Sequence, residues 1–282
     1  MLHMVRGVVI LGLLARAAAY SQGVQPQQLA RQSYERAMSE SDGQRKESLL
    51  KESIGTWKTF AAYYALGNLQ LDAHRYKDAR ESFQNGLALV DGVAPMAAAY
   101  FKIGLASEGQ GQILDAIAWL EASLSRVDDP TVARELKRMR LAAAGRTQSA
   151  EAIARALTSA KGIGSSPKVD LQVNFEFDQA DLTPAGRAQA EELGKLLTAG
   201  DYAGYRFTFV GHTDLKGGED YNLNLSQRRA DTVVRYLVER YSVASSQIRA
   251  VGRGMREPLY KGISEENDRL NRRVEVRLEA AK

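Results

Sequence analysis

The residues of this chain whose types and spacing bear on chemistry gather in its C-terminal half. Asp214 closes the run Gly211-His212-Thr213-Asp214 at the end of an extended apolar segment, and Gly217-Gly218 offers a turn that can return the next helix beside it. In that helix, expected over Asn224–Tyr241, Ala230, Val233, Val234, Leu237 and Tyr241 form an apolar stripe. Gln227, Arg228, Asp231, Arg235 and Glu239 face water. Arg229 belongs to neither set. At about 100° per residue it lies one turn from Leu225 and one from Val233, on the border of the buried face, where a guanidinium turned toward the protein needs an anion. Asp214 is the candidate neighbour, and the two read either as a structural ion pair or as two poles of a binding site. A hydrolytic triad of His212, Asp214 and Ser226 fails on geometry. His212 and Asp214 stand two apart on one extended segment, and Ser226 is more simply a hydroxyl near a helix N-terminus. Gly252-x-Gly254 lacks the third glycine and the following helix of a dinucleotide loop, so no cofactor is expected. With no Cys and only His3, His74 and His212, no Cys/His metal site can be written.

Holding these residues requires strands and helices, and the periodicity supplies them. Val169, Leu171, Val173, Phe175 and Phe177 alternate with polar residues as in a strand with one buried face. Thr183-Pro184 begins a capped helix through Leu197. Strands follow at Tyr205–Val210, Gln247–Val251 and Arg273–Leu278, giving an α+β domain of order βαβαββ with helices on one face of the sheet. Upstream, from Gln25 to about Lys161, the spacing is helical throughout. Tyr63, Leu66, Gly67, Ala79 and Phe83 recur as Tyr100, Ile103, Gly104, Ala116 and Leu120. Gly67 to Gly104 and Ala79 to Ala116 both span 37 residues, and a loop extension near Gly92–Pro95 explains the excess over about 34. This half resembles a tetratricopeptide-like repeat domain, with Gln27–Ser53 and Thr131–Ala160 as degenerate helical pairs capping the stack. Trp57, Tyr63, Tyr64, Tyr100 and Trp119 read as packing between helices. The organisation expected is therefore helical repeats over 25–160, a Gly/Ser linker over 161–168, and an α+β domain over 169–282 that folds alone.

At 282 residues, with 44% apolar and 26% charged side chains, the chain is globular and long enough for two domains. Its net charge is +4, yet residues 168–282 hold 18 basic and 18 acidic side chains, which is no footprint for nucleic acid.

Asn222, Leu225, Ser226, Arg229, Ala230, Val233 and Leu237 reproduce Asn-x-x-Leu-Ser-x-x-Arg-Ala-x-x-Val-x-x-x-Leu. With Phe177-Asp178, Gly211-His212-Thr213-Asp214 and Asn271-Arg272-Arg273-Val274-Glu275, this pattern resembles the OmpA-like C-terminal domain over about Val173 to Leu278. Met255 departs from it, standing where the family usually has Glu. The resemblance implies non-covalent peptidoglycan binding through the diaminopimelate of the stem peptide. The free end of that residue is a zwitterion, which needs a fixed anion and a fixed cation at matched distance. By the resemblance Asp214 supplies the first and Arg229 the second, its planar fork suited to both carboxylate oxygens. Asp178, Asn222, Leu225 and Arg272 would line the same pocket, with Asn222 and backbone N–H groups at the helix start as neutral donors.

Arg6, the apolar run Val8–Leu14 and Ala17-Ala18-Ala19 read as a secretory signal over 1–19. No later stretch has the roughly 20 apolar residues of a membrane helix. The whole reads as a periplasmic, wall- or outer-membrane-associated protein of a Gram-negative-type envelope, anchoring a repeat scaffold and its protein partner to peptidoglycan. The alternative is an assembly factor or secretion-apparatus subunit acting mainly through its repeats. If the signal reading holds, the mature chain begins near Tyr20, and N-terminal sequencing of the periplasmic product checks it.

Overall fold

A computed structural model describes residues 25–163, 167–176, 179–202 and 204–280. The expected signal segment, residues 164–166 of the Gly/Ser linker and Asp178 lie outside them. Eight helices come first: α1 Pro26–Ser39, α2 Gly43–Thr56, α3 Phe60–Asp72, α4 Tyr76–Leu87, α5 Val93–Gly109, α6 Ile113–Leu124, α7 Pro130–Ala143 and α8 Ala150–Gly162. Then come β1 Lys168–Leu171, α9 Pro184–Thr198, β2 Tyr205–His212, α10 Glu219–Tyr241, β3 Ile248–Gly254, α11 Glu265–Asn271 and β4 Val274–Ala280. The architecture is thus an all-helical region followed by an α+β domain, as the periodicity predicts. None of the described helices is long and apolar enough to cross a membrane.

The chain divides into two compact units, 1–102 and 103–282. In the first, Asp42 and Thr59 cap α2 and α3 through their side chains. Ser53 Oγ donates to the Ala30 carbonyl and ties α2 to α1. At Gly67 a Cβ would stand 2.6 Å from the Phe83 ring, so only a residue without one lets α3 and α4 approach this closely. Gly104 meets Leu120 in the same way within the second unit. Both repeat positions are therefore contacts between paired helices.

In the second unit the sheet order is β1-β4-β2-β3, with β4 antiparallel to β1 and β2, and β2 parallel to β3. Phe207 and Phe209 of β2 and Val274 and Val276 of β4 enter the core with Leu193 of α9 and Val233 and Leu237 of α10. Thr183 caps α9 and Pro184 occupies its first turn, as expected. Three elements differ from expectation, the first being α11, which adds a helix between the last two strands of the expected βαβαββ order. The first strand is only Lys168–Leu171, with Phe175 returning in an isolated bridge to Leu182. The long helix starts at Glu219, where Glu219 and Asp220 favour the positive end of the helix.

The expected boundary at 161–168 is corrected. Ile153, Ala156 and Leu157 of α8 are buried in the same core as Val169, Leu171 and the sheet. The α7–α8 turn is also stapled to α9: Gln148 N donates to Gln189 Oε1 at 2.8 Å, Gln189 Nε2 returns a bond to the Gln148 carbonyl at 3.1 Å, and Ala150 N donates to Glu192 at 2.9 Å. Helical spacing reports that a face is buried, and it does not report what covers it. A fragment 168–282 should accordingly lose cooperative melting, and Leu157→Ala should lower the stability of the C-terminal unit by about 2–5 kcal/mol in a denaturant titration.

Candidate functional site

The site forms where β2 ends between the last residues of β3 and the first of β4. Gly211 pairs across with Val274. Beyond it, His212 N donates to the Arg273 carbonyl and Thr213 N to the Gly254 carbonyl, each at 3.0 Å. This two-sided grip fixes the backbone leading into Asp214, and the register brings Arg272 beside it. Arg272 Nη1 lies 2.7 Å from Asp214 Oδ2, while Asp214 Oδ1 accepts from Lys216 N at 3.1 Å and closes the turn.

Asp214 therefore pairs with Arg272, and the neighbour expected for it, Arg229, is engaged elsewhere. Arg229 Nε donates to the Gln179 carbonyl at 3.0 Å, and its guanidinium carbon lies 5.1 Å from the Phe175 ring centroid. It is half-buried, as its place on the helix border predicts, whereas Arg228 is exposed. Arg229 and Arg272 line one cleft of about 140 Å³ together with Phe175, His212, Arg269 and Arg273. Among the described residues, four guanidinium groups and no carboxylate make up its charged lining.

Asn222 and Leu225 sit differently from expectation. Both are buried and neither lines the cleft. Asn222 lies inside α10, its backbone N–H already donating to the Gly218 carbonyl. Its side-chain amide donates to the Lys216 carbonyl at 2.7 Å and to the Met255 sulfur at 3.6 Å. It thus shapes the loop after Asp214, and Met255 is the acceptor there. Ser226 Oγ donates to the Leu223 carbonyl and accepts from Gly254 N at 2.8 Å, which locks the end of β3 to α10.

Arg269 and Arg273 are the cleft residues that the sequence reading missed. Arg273 stands in the quoted Asn-Arg-Arg-Val-Glu run, and its inward turn depends on the strand phase. It is buried, with Nε 2.7 Å from Asp170 on β1. Arg269 carried no signal of its own. Burial, and next the Arg273 charge, pull the His212 imidazole down to about 3 from its usual 6.5.

The chain is similar to known proteins over this region. The OmpA family matches residues 174–272. The peptidoglycan-associated lipoprotein of Pseudomonas aeruginosa is 37% identical over 103 residues, which cover 36% of this chain and 59% of that protein. Outer membrane porin F of the same organism is 35% identical over 113 residues, covering 40% and 32%. The chain thus spans about a third to three-fifths of these relatives. A crystal structure of the peptidoglycan-associated lipoprotein from Burkholderia pseudomallei superposes with a TM-score of 0.35 at 26% identity, covering 42% of this chain and 92% of that one. Residues 174–272 are an OmpA-type domain.

Because the folded state holds His212 neutral, the unfolded chain binds the extra proton first. Stability should be complete above about pH 6.5 and fall by up to a few kcal/mol as pH drops toward 3. Imidazole resonances of His212 that show no protonation at pH 5 would accord with this.

Proposed function

We propose that the C-terminal domain binds peptidoglycan non-covalently, receiving the zwitterionic end of diaminopimelate, and thereby anchors the helical region to the cell wall. The observation that carries this reading is the Arg229–Arg272 cleft with Asp214 at its rim, in a domain of the OmpA type. The Arg229 guanidinium supplies the fork for the ligand carboxylate. Asp214 takes the ligand ammonium while keeping Arg272 as a second neighbour, so the ammonium enters a carboxylate already oriented by an ion pair. Asp178 belongs to the same pocket by its motif, and Asn222 and Leu225 act by holding the loop and helix that present Asp214 and Arg229. The activity is binding, with no catalytic step and no cofactor.

The relatives named as outer-membrane and peptidoglycan-associated proteins support placement in the periplasm, at the wall or outer membrane. The helix pairs are tetratricopeptide-like in their Gly67–Phe83 and Gly104–Leu120 contacts, and they carry a partner. One observation favours the second reading, in which the repeats dominate and the domain serves an assembly or secretion apparatus. A groove of about 460 Å³ between α1 and α2 is lined by Tyr34, Ser53 and Trp57, and Trp57 is 47% exposed. Lysozyme digestion of cells that fails to release the protein would favour it.

Arg229→Ala and Asp214→Ala should each weaken pull-down on purified sacculi by about thirtyfold or more, since each leaves a ligand charge unpaired. The double variant should lose less than the product of the two, because both act on one zwitterion. Arg228→Ala, on the solvent side, should bind like the parent, with melting curves confirming that all variants fold. Equal losses from Arg228→Ala and Arg229→Ala would show diffuse attraction in place of a pocket.

A further inference from the structure

Among the described residues, the charged lining of the cleft beside Asp214 is all guanidinium. Arg273 is matched by Asp170 and Arg272 by Asp214. Arg269, on α11, instead donates Nη2 to the Ala144 carbonyl at 2.6 Å, a neutral acceptor. Among the described residues no carboxylate is paired with it.

Arg269 is held by a part of the chain outside the OmpA-type match. Gly145, next in the α7–α8 turn, has φ +80°, and a Cβ there would stand 2.6 Å from Arg269 Nη2. The backbone conformation calls for glycine, and a Cβ would push the end of the Arg269 side chain aside. The turn is itself secured by the Gln148–Gln189 amide pair and by Glu192 at the start of α8. Gly145 and Arg269 line the cleft together. So does His212, 3% exposed, whose two ring nitrogens have no hydrogen-bond partner among the described residues. A neutral imidazole there has one donor and one acceptor to offer a ligand.

We infer that Arg269, pinned by the Ala144-Gly145 turn, is a specificity-determining residue that receives a second ligand carboxylate, so that the cleft prefers stem peptides ending in diaminopimelate. The inference rests on the peptidoglycan reading above. Within a longer stem, diaminopimelate has one free carboxylate, on its zwitterionic end, because its other carboxyl is bonded as an amide to the next residue. Where diaminopimelate ends the stem, that second carboxyl is free and charged. Arg229 and Asp214 serve the first end, and Arg269 serves the other.

The test is calorimetric titration of the full chain with three peptides: the stem tripeptide ending at diaminopimelate, the tetrapeptide that continues past it, and the tripeptide with that terminal carboxyl converted to a carboxamide. The parent should bind the tripeptide about fivefold tighter than the other two, the scale of one partly exposed charged hydrogen bond. Arg269→Gln keeps a donor for the Ala144 carbonyl but removes the charge, and it should bring all three peptides within about twofold of one another. Arg269→Lys should retain the preference. Gly145→Ala, which displaces the guanidinium without deleting it, should reduce the preference and gives a second variant if Arg269→Gln misfolds. Equal parent affinity for tripeptide and tetrapeptide, or a preference that survives Arg269→Gln, overturns the inference and leaves peptidoglycan binding standing. Failure of the parent to bind any of the three peptides removes the peptidoglycan reading, and the inference with it.

Discussion

A guanidinium cannot be buried without an anion, and the C-terminal unit is arranged around the one at Arg273. Its side chain reaches Asp170 on β1, which fastens the edge strand to β4, and its carbonyl accepts from His212 N, which fastens the end of β2. Burial opposes ionisation of Asp170, yet Arg273, Arg140 and Lys168 outweigh it and hold the carboxyl below its usual range. Glu275, two residues along β4 and equally buried, meets Lys168 and Arg277 on the same face. Removing one member would leave the rest as uncompensated buried charge, a larger loss than removing a matched pair. The same positive charge helps keep His212 neutral at the cleft wall.

The cleft inherits its geometry from that arrangement. With Arg273 committed inward, Arg272 lies at the strand entrance, where the β2 register brings Asp214 within 2.7 Å. Ser226 and Gln227 accept from Gly254 N and Gly252 N, holding α10 against the end of β3 and thereby setting where Arg229 emerges. The α7–α8 turn adds Gly145 and Arg269 to the wall. Arg140 of α7 is ion-paired to Glu121 of α6 and donates to the Tyr260 hydroxyl at 3.2 Å, so this helical layer also touches the segment between β3 and α11. Helices α6–α8 and the sheet share one core, which makes the C-terminal unit larger than the family domain within it.

Much of this was legible in the sequence where the signal is local. Thr183-Pro184 announces the start of α9 because a hydroxyl cap and a proline act within one turn. The alternation from Val169 and the stripe Ala230–Val233–Leu237 gave the strand phase and the buried helix face, and Gly67 and Gly104 marked close helix contacts by the absence of a side chain. The motif residues Arg229 and Arg272 do meet in one cleft, and Asp214 stands beside it. Less legible were pairings set by register and by neighbours distant in sequence. Nothing local distinguishes an aspartate bound to Arg272 from one bound to Arg229, or an Asn222 that lines a pocket from one that closes a loop.

What the sequence alone determined was the main helices and strands, α11 excepted, and the OmpA-type motif, because capping, periodicity and spacing act over a few residues. Only the tertiary structure decided that α8 belongs with the sheet, that Arg273 turns inward while Arg272 takes Asp214, and that a turn from the helical region pins Arg269 beside them. Those outcomes depend on which apolar faces and charges find each other across many tens of residues, and the free energy of burying them is a property of the packed pair that neither segment carries by itself.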